Sequence, residues 1–392
     1  MEVVFIDPEP PDITGGGIRT YLRLALKACR ERDCEARVYT HNPQAYPGER
    51  VAPIGRKPWL KSPWRGLAYR FLYSENVLWE HANWLSAELE ACHATGKIYE
   101  FADFMGYAFF SLRNPVLQNR IVVRVHTPNY LVLGKNRGPL ASLAGWLCAW
   151  REKDSLNLAQ HITVPSAEFV KEMLPDLRNW VHIPNPMPLE LNTEKVSEAS
   201  IPSVNPEAES GVKRFLYLGR VEPRKGVLLL VRVFLKLASE DSDVSLTLVG
   251  GSVPGPYAQS VRTLIDSQTS GLRARITWEP PCPTELRSAL FARFQVLVVP
   301  SLWENSPYVY FEGMAAGLLV LGSATGEMKA VAKITKGPTA IPGDETDWER
   351  ALRAVAYGAH REVHAAQAEF LRTRRPKIPD LLVNYYRGLV DG

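Results

Sequence analysis

Between Val296 and Gly322 the chain reads VLVVPSLWENSPYVYFEGMAAGLLVLG, and few folds accommodate that order. It opens with a short apolar run of strand length and β-branched composition, 296–299. A polar turn follows. Ser306 stands where an N-cap is expected and Pro307 at the first helical position, so the spacing predicts a helix ending near Gly317. Residues 318–321 read as the next strand. Such a strand–turn–helix–strand unit opens its turn at the carboxyl end of a parallel sheet, where ligands bind. The helix start offers free backbone N–H groups and partial positive charge, which suits a phosphate. Glu304 and Glu312 bracket that start with seven residues between them. Two carboxylates would repel an anion unless they hold hydroxyls, and a sugar nucleotide has both hydroxyls and a diphosphate.

At 392 residues the chain has room for two ordinary domains, each with its own core. The net charge of +4 gives no argument for nucleic acid, which is not among the expected partners. Cysteines at 29, 34, 92, 148 and 282 form no metal-binding spacing. An odd, scattered set reads as reduced thiols in a cytosolic protein. The opening MEVVFID is a strand flanked by acids and not a signal peptide. No apolar run approaches the ~20 residues of a membrane-spanning helix. A cytoplasmic protein is expected, with peripheral contact to the inner face of the membrane left open by the stretch 54–73 described below.

The first half alternates strands with helical or irregular segments, with strands at 3–6, 36–40, 97–101, 121–126, 162–165 and 181–183. After the first strand comes DPEPPDITGGG and then a helix. Ile18, Tyr21, Leu22, Ala25, Leu26 and Cys29 share one face of it, and Arg19, Arg23, Lys27 and Arg30 take the other. Gly15, Gly16 and Gly17 therefore sit between strand and helix, where a bare backbone can approach a phosphate or a partner. The GxGxxG spacing and downstream acid of a dinucleotide site are missing, so NAD is not indicated; the bland alternative is a loop that tolerates glycine. Glu100 and Asp103 end one strand, and Arg124 and His126 end another. A lone histidine is more often structural, but His126 closes an apolar strand and a Thr-Pro turn follows at once.

The stretch 54–73 holds Arg56, Lys57, Lys61, Arg65 and Arg70 with no acid, interleaved with Trp59, Trp64, Tyr69, Phe71 and Tyr73. That chemistry suits an anionic membrane surface or an anionic acceptor. Single-stranded nucleic acid is the other chemical fit. The alternative is a surface loop and helix whose aromatics face the core. Residues 131–150 are apolar apart from Lys135 and Arg137, are broken by Gly-Pro, and end in the charged run REKD, which predicts a helix lying on the sheet.

Residues 191–212 are Pro-, Ser-, Glu- and Asn-rich without periodicity and read as a linker between domains at 1–190 and 213–376. The second domain repeats the pattern, with strands at 215–218, 244–249 and 275–278, helices at 227–237 and 285–291, and then the opening unit. Arg220 and Lys225 lie in the turn GRVEPRKG after its first strand, on the same side of the sheet as Glu304. Two cations there suit a diphosphate, and the alternative is solvated surface charge. Within 377–392, Leu381, Leu382, Tyr385, Tyr386 and Leu389 recur at helical spacing, predicting a helix that packs back on the first domain.

Taken in order, these segments resemble the retaining glycosyltransferases of family 4, along most of the chain. The matching pieces are the glycine loop with Tyr21, the run Arg124, His126, Thr127 and Pro128, and Asn185 in IPNP. GRVEPRKG and the E-x7-E pair of Glu304 and Glu312, followed by GMAAG and a strand, complete the set. The resemblance implies an α/β protein of the GT-B fold, with two doubly wound Rossmann-like domains facing across a cleft and a C-terminal helix crossing back to the first. It implies Glu312 on the donor ribose, Arg220 and Lys225 on its diphosphate, and Glu304 with backbone amides near Asn305, Ser306 and Tyr308 on the donor sugar. Gly16 and Gly17 would approach the donor, and His126 would line the reaction centre. Lys57, Lys61, Trp64 and Arg65 are the candidates for acceptor or membrane contact. Catalysis would retain anomeric configuration without a metal or other cofactor, because cations and a helix dipole can stabilise the departing nucleoside diphosphate. The partners implied are a nucleotide sugar and a glycan or lipid-linked acceptor, as in glycolipid or cell-surface polysaccharide synthesis.

Two departures from the family pattern lie around the donor sugar. Asn305-Ser306-Pro307-Tyr308 stands where a glycine–aromatic–glycine stretch is common. Downstream, where a double glycine followed by an acid is common, Gly326 is followed by Glu327 and Ala330 stands near the position expected to be acidic. Readings from other classes are a sugar-nucleotide epimerase or phosphorylase on a related fold, and a sugar-nucleotide-binding subunit without catalysis.

Overall fold

The computed structural model describes residues 1–9, 16–54, 73–132, 139–187, 213–252, 255–358, 360–374 and 376–391. Gly15, the candidates Lys57, Lys61, Trp64 and Arg65, the pair Lys135 and Arg137, and the linker 191–212 lie outside them. The chain divides into two compact units, Met1–Pro186 with Pro376–Gly392, and Met187–Arg375.

In the first unit the strands are β1 (Glu2–Asp7), β2 (Glu35–Thr40), β3 (Val51–Pro53), β4 (Lys97–Ala102), β5 (Ile121–Arg124), β6 (His161–Val164) and β7 (Trp180–His182). They form one sheet in the order β3-β2-β1-β4-β5-β6-β7, parallel throughout. Val3, Val4, Phe5 and Ile6 are buried in succession, as a central strand covered on both faces requires. Strand order reverses between β1 and β4, so the segments after these strands flank a switch point.

Three expectations change here. Arg19 is not on the solvent face of the helix Gly17–Arg30: it is buried, and its Nε donates to Asp7 Oδ2 at 3.0 Å. An acid at the end of β1 draws the guanidinium inward. Glu100 does not end its strand but lies inside β4, fully buried, and accepts a hydrogen bond from Tyr386 Oη at 2.5 Å. The run REKD does not end a helix. The helix Pro139–Leu158 passes through it, with Arg151 and Glu152 buried. β3 was too short for any periodicity, and its pairing with β2 defines it.

The C-terminal helix Lys377–Asp391 packs on Gly17–Arg30 within this unit. Arg32 Nε donates to Asp380 Oδ1 at 2.6 Å, Arg387 Nη2 to the Arg32 carbonyl at 2.8 Å, and Tyr386 Oη lies 3.4 Å from Tyr21 Oη. Leu382 and Tyr386 are buried as the sequence pattern expects, but Leu381 is exposed and Val383 is buried instead, with the Arg32–Asp380 ion pair at the margin.

The second unit holds β8 (Lys213–Leu218), β9 (Val244–Val249), β10 (Ile276–Glu279), β11 (Val296–Val299), β12 (Leu319–Ser323) and β13 (Thr339–Ala340). They form a parallel sheet in the order β10-β9-β8-β11-β12-β13, which reverses between β8 and β11. Phe215, Leu230, Phe234, Leu246, Val298, Leu321 and Trp348 belong to its core, where the helices Val227–Glu240 and Glu345–Tyr357 pack together. The helix of the opening stretch is Tyr308–Ala315, with Pro307 and not Ser306 at the cap. Pro307 is extended (φ −74°, ψ 121°), so helical geometry begins one residue later and leaves Ser306 beyond capping reach. Its Oγ is buried without a hydrogen-bond partner among the described residues. No helix among the described residues is long and apolar enough to cross a membrane.

Candidate functional site

The residues singled out in the second half of the sequence gather after β8 and β11, at the reversal of strand order. Tyr217 Oη donates to the Arg220 carbonyl at 2.6 Å and shapes the turn after β8. That turn tightens into a 3-10 segment, Pro223–Lys225, and ends at Gly226 with φ +68°. The Leu302 amide donates to the Arg224 carbonyl at 2.8 Å, which ties the turn after β8 to the turn after β11. A Cβ on Gly226 would lie 2.0 Å from the Pro300 carbonyl oxygen. Glycine is therefore required twice over, for the left-handed backbone and for the close approach. Gly226→Ala is expected to cost more than the ~1–2 kcal/mol of a left-handed alanine, because the clash adds to it. A chemical-denaturation midpoint within error of the wild type would contradict this.

Glu304 lies at the meeting point of these turns and is 6% exposed. Its Oε1 accepts from Lys225 Nζ, lies 3.1 Å from Arg224 Nη1, and accepts from Ser301 Oγ at 3.0 Å. Arg224 Nη2 also donates to Glu222 Oε1 at 2.9 Å, and its guanidinium lies over the Trp303 ring at 4.8 Å. Burial alone would raise the Glu304 carboxyl, but Lys225 and Arg224 prevail and hold it at about 2. Burial pulls the Lys225 ammonium down, with the charge of Glu304 opposing. Arg220 differs from both: its side chain is 64% exposed and its Nη2 lies 3.4 Å from Glu222 Oε1. It stands at the surface of the same turn.

A third loop backs this arrangement. Gly326, with φ +53°, lies so close that a Cβ would sit 1.9 Å from the Glu304 carbonyl oxygen, and the Glu327 amide donates to the Asn305 carbonyl at 2.8 Å. The segment from Glu304 to Tyr308 is thus held from behind by the start of the helix Gly326–Thr335. Glu312 lies in the helix Tyr308–Ala315, buried, with Arg287 Nη1 donating to its Oε1 at 2.5 Å. Burial pushes its carboxyl up and Arg287 opposes. Cations beside an ionised carboxylate, a helix start and a second carboxylate make a surface that can hold both an anion and hydroxyls.

In the first unit, His126 lies two residues beyond β5 and its amide donates to Asp103 Oδ1 at 3.0 Å. Tyr21 meets the His126 ring edge-on at 4.9 Å. Burial, with the nearby charge of Arg124, pushes the imidazole well below its usual pKa, so it is neutral near pH 7. Arg124 is itself buried, over the Tyr21 ring at 4.4 Å, with Nη2 donating to Asn185 Oδ1 at 2.8 Å. The resemblance had paired these same residues only in sequence. Glu152 knits the segments around His126 together: its Oε1 accepts the Met105 and Asn129 amides, at 2.7 and 3.0 Å, and its Oε2 the Tyr130 amide at 2.9 Å. Gly16 precedes the helix Gly17–Arg30, where a Cβ would meet Glu9 Oε1 at 2.2 Å. Gly17 is exposed, with open space where a Cβ would be.

Comparison with known proteins falls on this picture unevenly. Residues 212–356, which contain every site residue named in the second unit, match the family model described as glycosyl transferases group 1. A D-inositol 3-phosphate glycosyltransferase of Rhodococcus opacus is 28% identical over 142 residues, 36% of this chain and 32% of that one. Its namesake in Streptosporangium roseum is 31% identical over 159 residues, 39% of this chain and 37% of that one. The chain spans from about a third to somewhat under half of the length of the curated relatives it matches. Among solved structures, sucrose-phosphate synthase from Thermosynechococcus elongatus superposes with a TM-score of 0.73 at 20% identity, covering 99% of this chain and 98% of that one. HepE of Anabaena in complex with UDP-glucose gives 0.68 at 16% identity, covering 99% and 100%. At these identities the likeness shows the fold, and it is the GT-B fold implied by the motifs.

Arg224 and Arg287 were absent from the sequence reading. Arg224 was within reach of it, being a third cation in the turn that already supplied Arg220 and Lys225. Arg287 had no local signal: its partner is 25 residues away, on another helix. Glu152 was hidden in a charged run that read as the end of a helix.

Proposed function

We propose that the chain is a glycosyltransferase that moves a sugar from a nucleoside-diphosphate sugar to an acceptor hydroxyl. The observation that carries the reading is the convergence of Lys225, Arg224 and Glu304 at the strand-order reversal of the second unit. Structures of similar fold were solved with UDP and with UDP-glucose, and the family model covers the same residues. In this reading a diphosphate takes Lys225 and Arg224 as counter-charges, with Arg220 closing over it from the surface. Glu312 accepts a ribose hydroxyl and Glu304 a hydroxyl of the donor sugar. Asn305, Ser306 and Tyr308 lie beside that sugar.

Retention of configuration and independence of metal belong to the proposal. What supports them is that the cations after β8 can neutralise the leaving diphosphate, and that the phosphate oxygen freed at departure can take the acceptor proton. Each turnover then forms one glycosidic bond, breaks one sugar–phosphate bond and moves one proton to the phosphate. A neutral His126 fits an uncharged hydrogen-bonding role on the acceptor side, and the resemblance supports Gly16 and Gly17 in donor approach. Proposed acceptors are glycan or lipid-linked hydroxyls; inositol 3-phosphate, from the relatives' name, joins the panel. Cytoplasmic, peripheral contact with an anionic membrane rests on the sequence of Lys57, Lys61, Trp64 and Arg65, and sedimentation with anionic liposomes tests it.

The direct test incubates the protein, in chelator, with sugar nucleotides and acceptors and reads nucleoside diphosphate released and the anomeric configuration of the product by NMR. Acceptor-dependent release with a retained anomer is expected. Conversion of the donor with no acceptor present would point to an epimerase instead, and an inverted product would remove retention.

A further inference from the structure

Arg287 belongs to no motif, yet it holds a residue on which the proposed donor site depends. It opens the helix Arg287–Phe291, and its Nη1 donates to Glu312 Oε1. Glu312 is 4% exposed. An ionised carboxylate offers about four acceptor positions. Here, among the described residues, Oε2 is buried and has no hydrogen-bond partner, and Arg287 Nε is in the same condition. A carboxylate oxygen left unpaired in an interior is costly, and one of the two oxygens of Glu312 is in that state. The Arg287 side chain is 29% exposed, which places the pair near the rim of the unit and not deep in its core. Glu312 also lies on the helix whose start carries the proposed sugar contacts.

Resting on the donor reading above, we propose that Arg287 is a positioning residue for the nucleoside: by engaging Oε1 it fixes the Glu312 carboxylate with Oε2 presented to one ribose hydroxyl. The pair thereby sets a preference for a ribonucleotide over its 2′-deoxy form. A carboxylate without its guanidinium partner could turn either oxygen outward, or back on its own helix. Discrimination of this kind is strong because the analogue that lacks the hydroxyl leaves the buried oxygen unpaired. The competing account is a plain structural bridge tying the helix Arg287–Phe291 to Tyr308–Ala315, which affects stability and not nucleotide choice.

Titration calorimetry on the full chain separates the two, with UDP, GDP and ADP each run beside its 2′-deoxy form. The wild type is expected to bind its best ribonucleotide roughly tenfold or more tightly than the deoxy form, the scale of one hydrogen bond to a charged group. Arg287→Met is expected to lower ribonucleotide affinity by a similar factor and to leave the deoxy form nearly unchanged. Arg287→Lys, which keeps a cation, is expected to recover part of the preference. If Arg287→Met weakens both forms equally, or keeps the wild-type ratio with only a lower melting temperature, the inference fails and the donor reading stands. If the wild type binds none of the diphosphates, both fail together.

Discussion

Replacing Lys225 by alanine is expected to lower the rate of sugar transfer by roughly 10²–10³-fold, the scale of removing one preorganised charge from a transition state. The expectation follows from geometry and from what remains. Lys225 Nζ is mostly buried and aimed at Glu304, at the end of the turn that links β8 to the site. Without it, Glu304 still has Arg224 at 3.1 Å and Ser301 at 3.0 Å, so no carboxylate is stranded and the fold should persist. Activity and stability therefore part company in this variant. Release of nucleoside diphosphate from the donor measures the first, and a denaturant midpoint the second. A rate within about twofold of wild type would take Lys225 out of the donor site.

Glu304→Ala is expected to behave in the opposite way and to damage both. It leaves Lys225 and Arg224 facing each other with their shared anion gone, and breaking a buried pair from one side costs about 3–5 kcal/mol. The wild-type protein should show the same dependence through pH. Because the folded-state carboxyl is held at about 2, below its ordinary 4.5, its stabilisation is fully present above pH 4.5 and lost as pH falls toward 2. Urea midpoints for wild type and Glu304→Ala should converge across that window. Parallel curves down to pH 2 would show that the ion pair contributes nothing to stability.

Much of this architecture was legible because parallel α/β units announce themselves. Val296–Val299 is found where its apolar run placed it, since a strand covered on both faces needs an unbroken apolar run, and Val244–Val249 where apolar residues alternate with Ser245 and Thr247. Lys225 and Glu304 were legible as candidates because each lies in a turn next to such a strand, and Glu312 by its spacing from Glu304 within the following helix. What escaped was set by partners distant in sequence. Arg19 reads as a surface arginine by helical periodicity, and Asp7 on β1 turns it inward. Glu152 falls in the run REKD, which reads as the end of a helix, and three backbone amides of other segments hold it inside. Ser306 has the composition of a cap, but an extended Pro307 moves the helix start past it. In each case local propensity gave one answer and tertiary pairing another. The departures from the family pattern at Asn305–Tyr308 and Gly326–Glu327 also turn out to be neighbours. The Glu327 amide donates to the Asn305 carbonyl, which puts the two stretches in contact.

The central claim is that the second unit carries a nucleotide-sugar site built on Lys225, Arg224, Glu304 and Glu312. The most direct test is the melting temperature of the full chain with UDP-, GDP-, ADP- and dTDP-sugars. A ligand that binds only the folded state stabilises it by about 2.7 kcal/mol at a hundred times its Kd. One donor class is expected to raise the wild-type melting temperature by several degrees, and Lys225→Ala and Glu312→Ala are expected to lose most of that rise. No shift with any donor, or the same shift in all three proteins, would contradict the account.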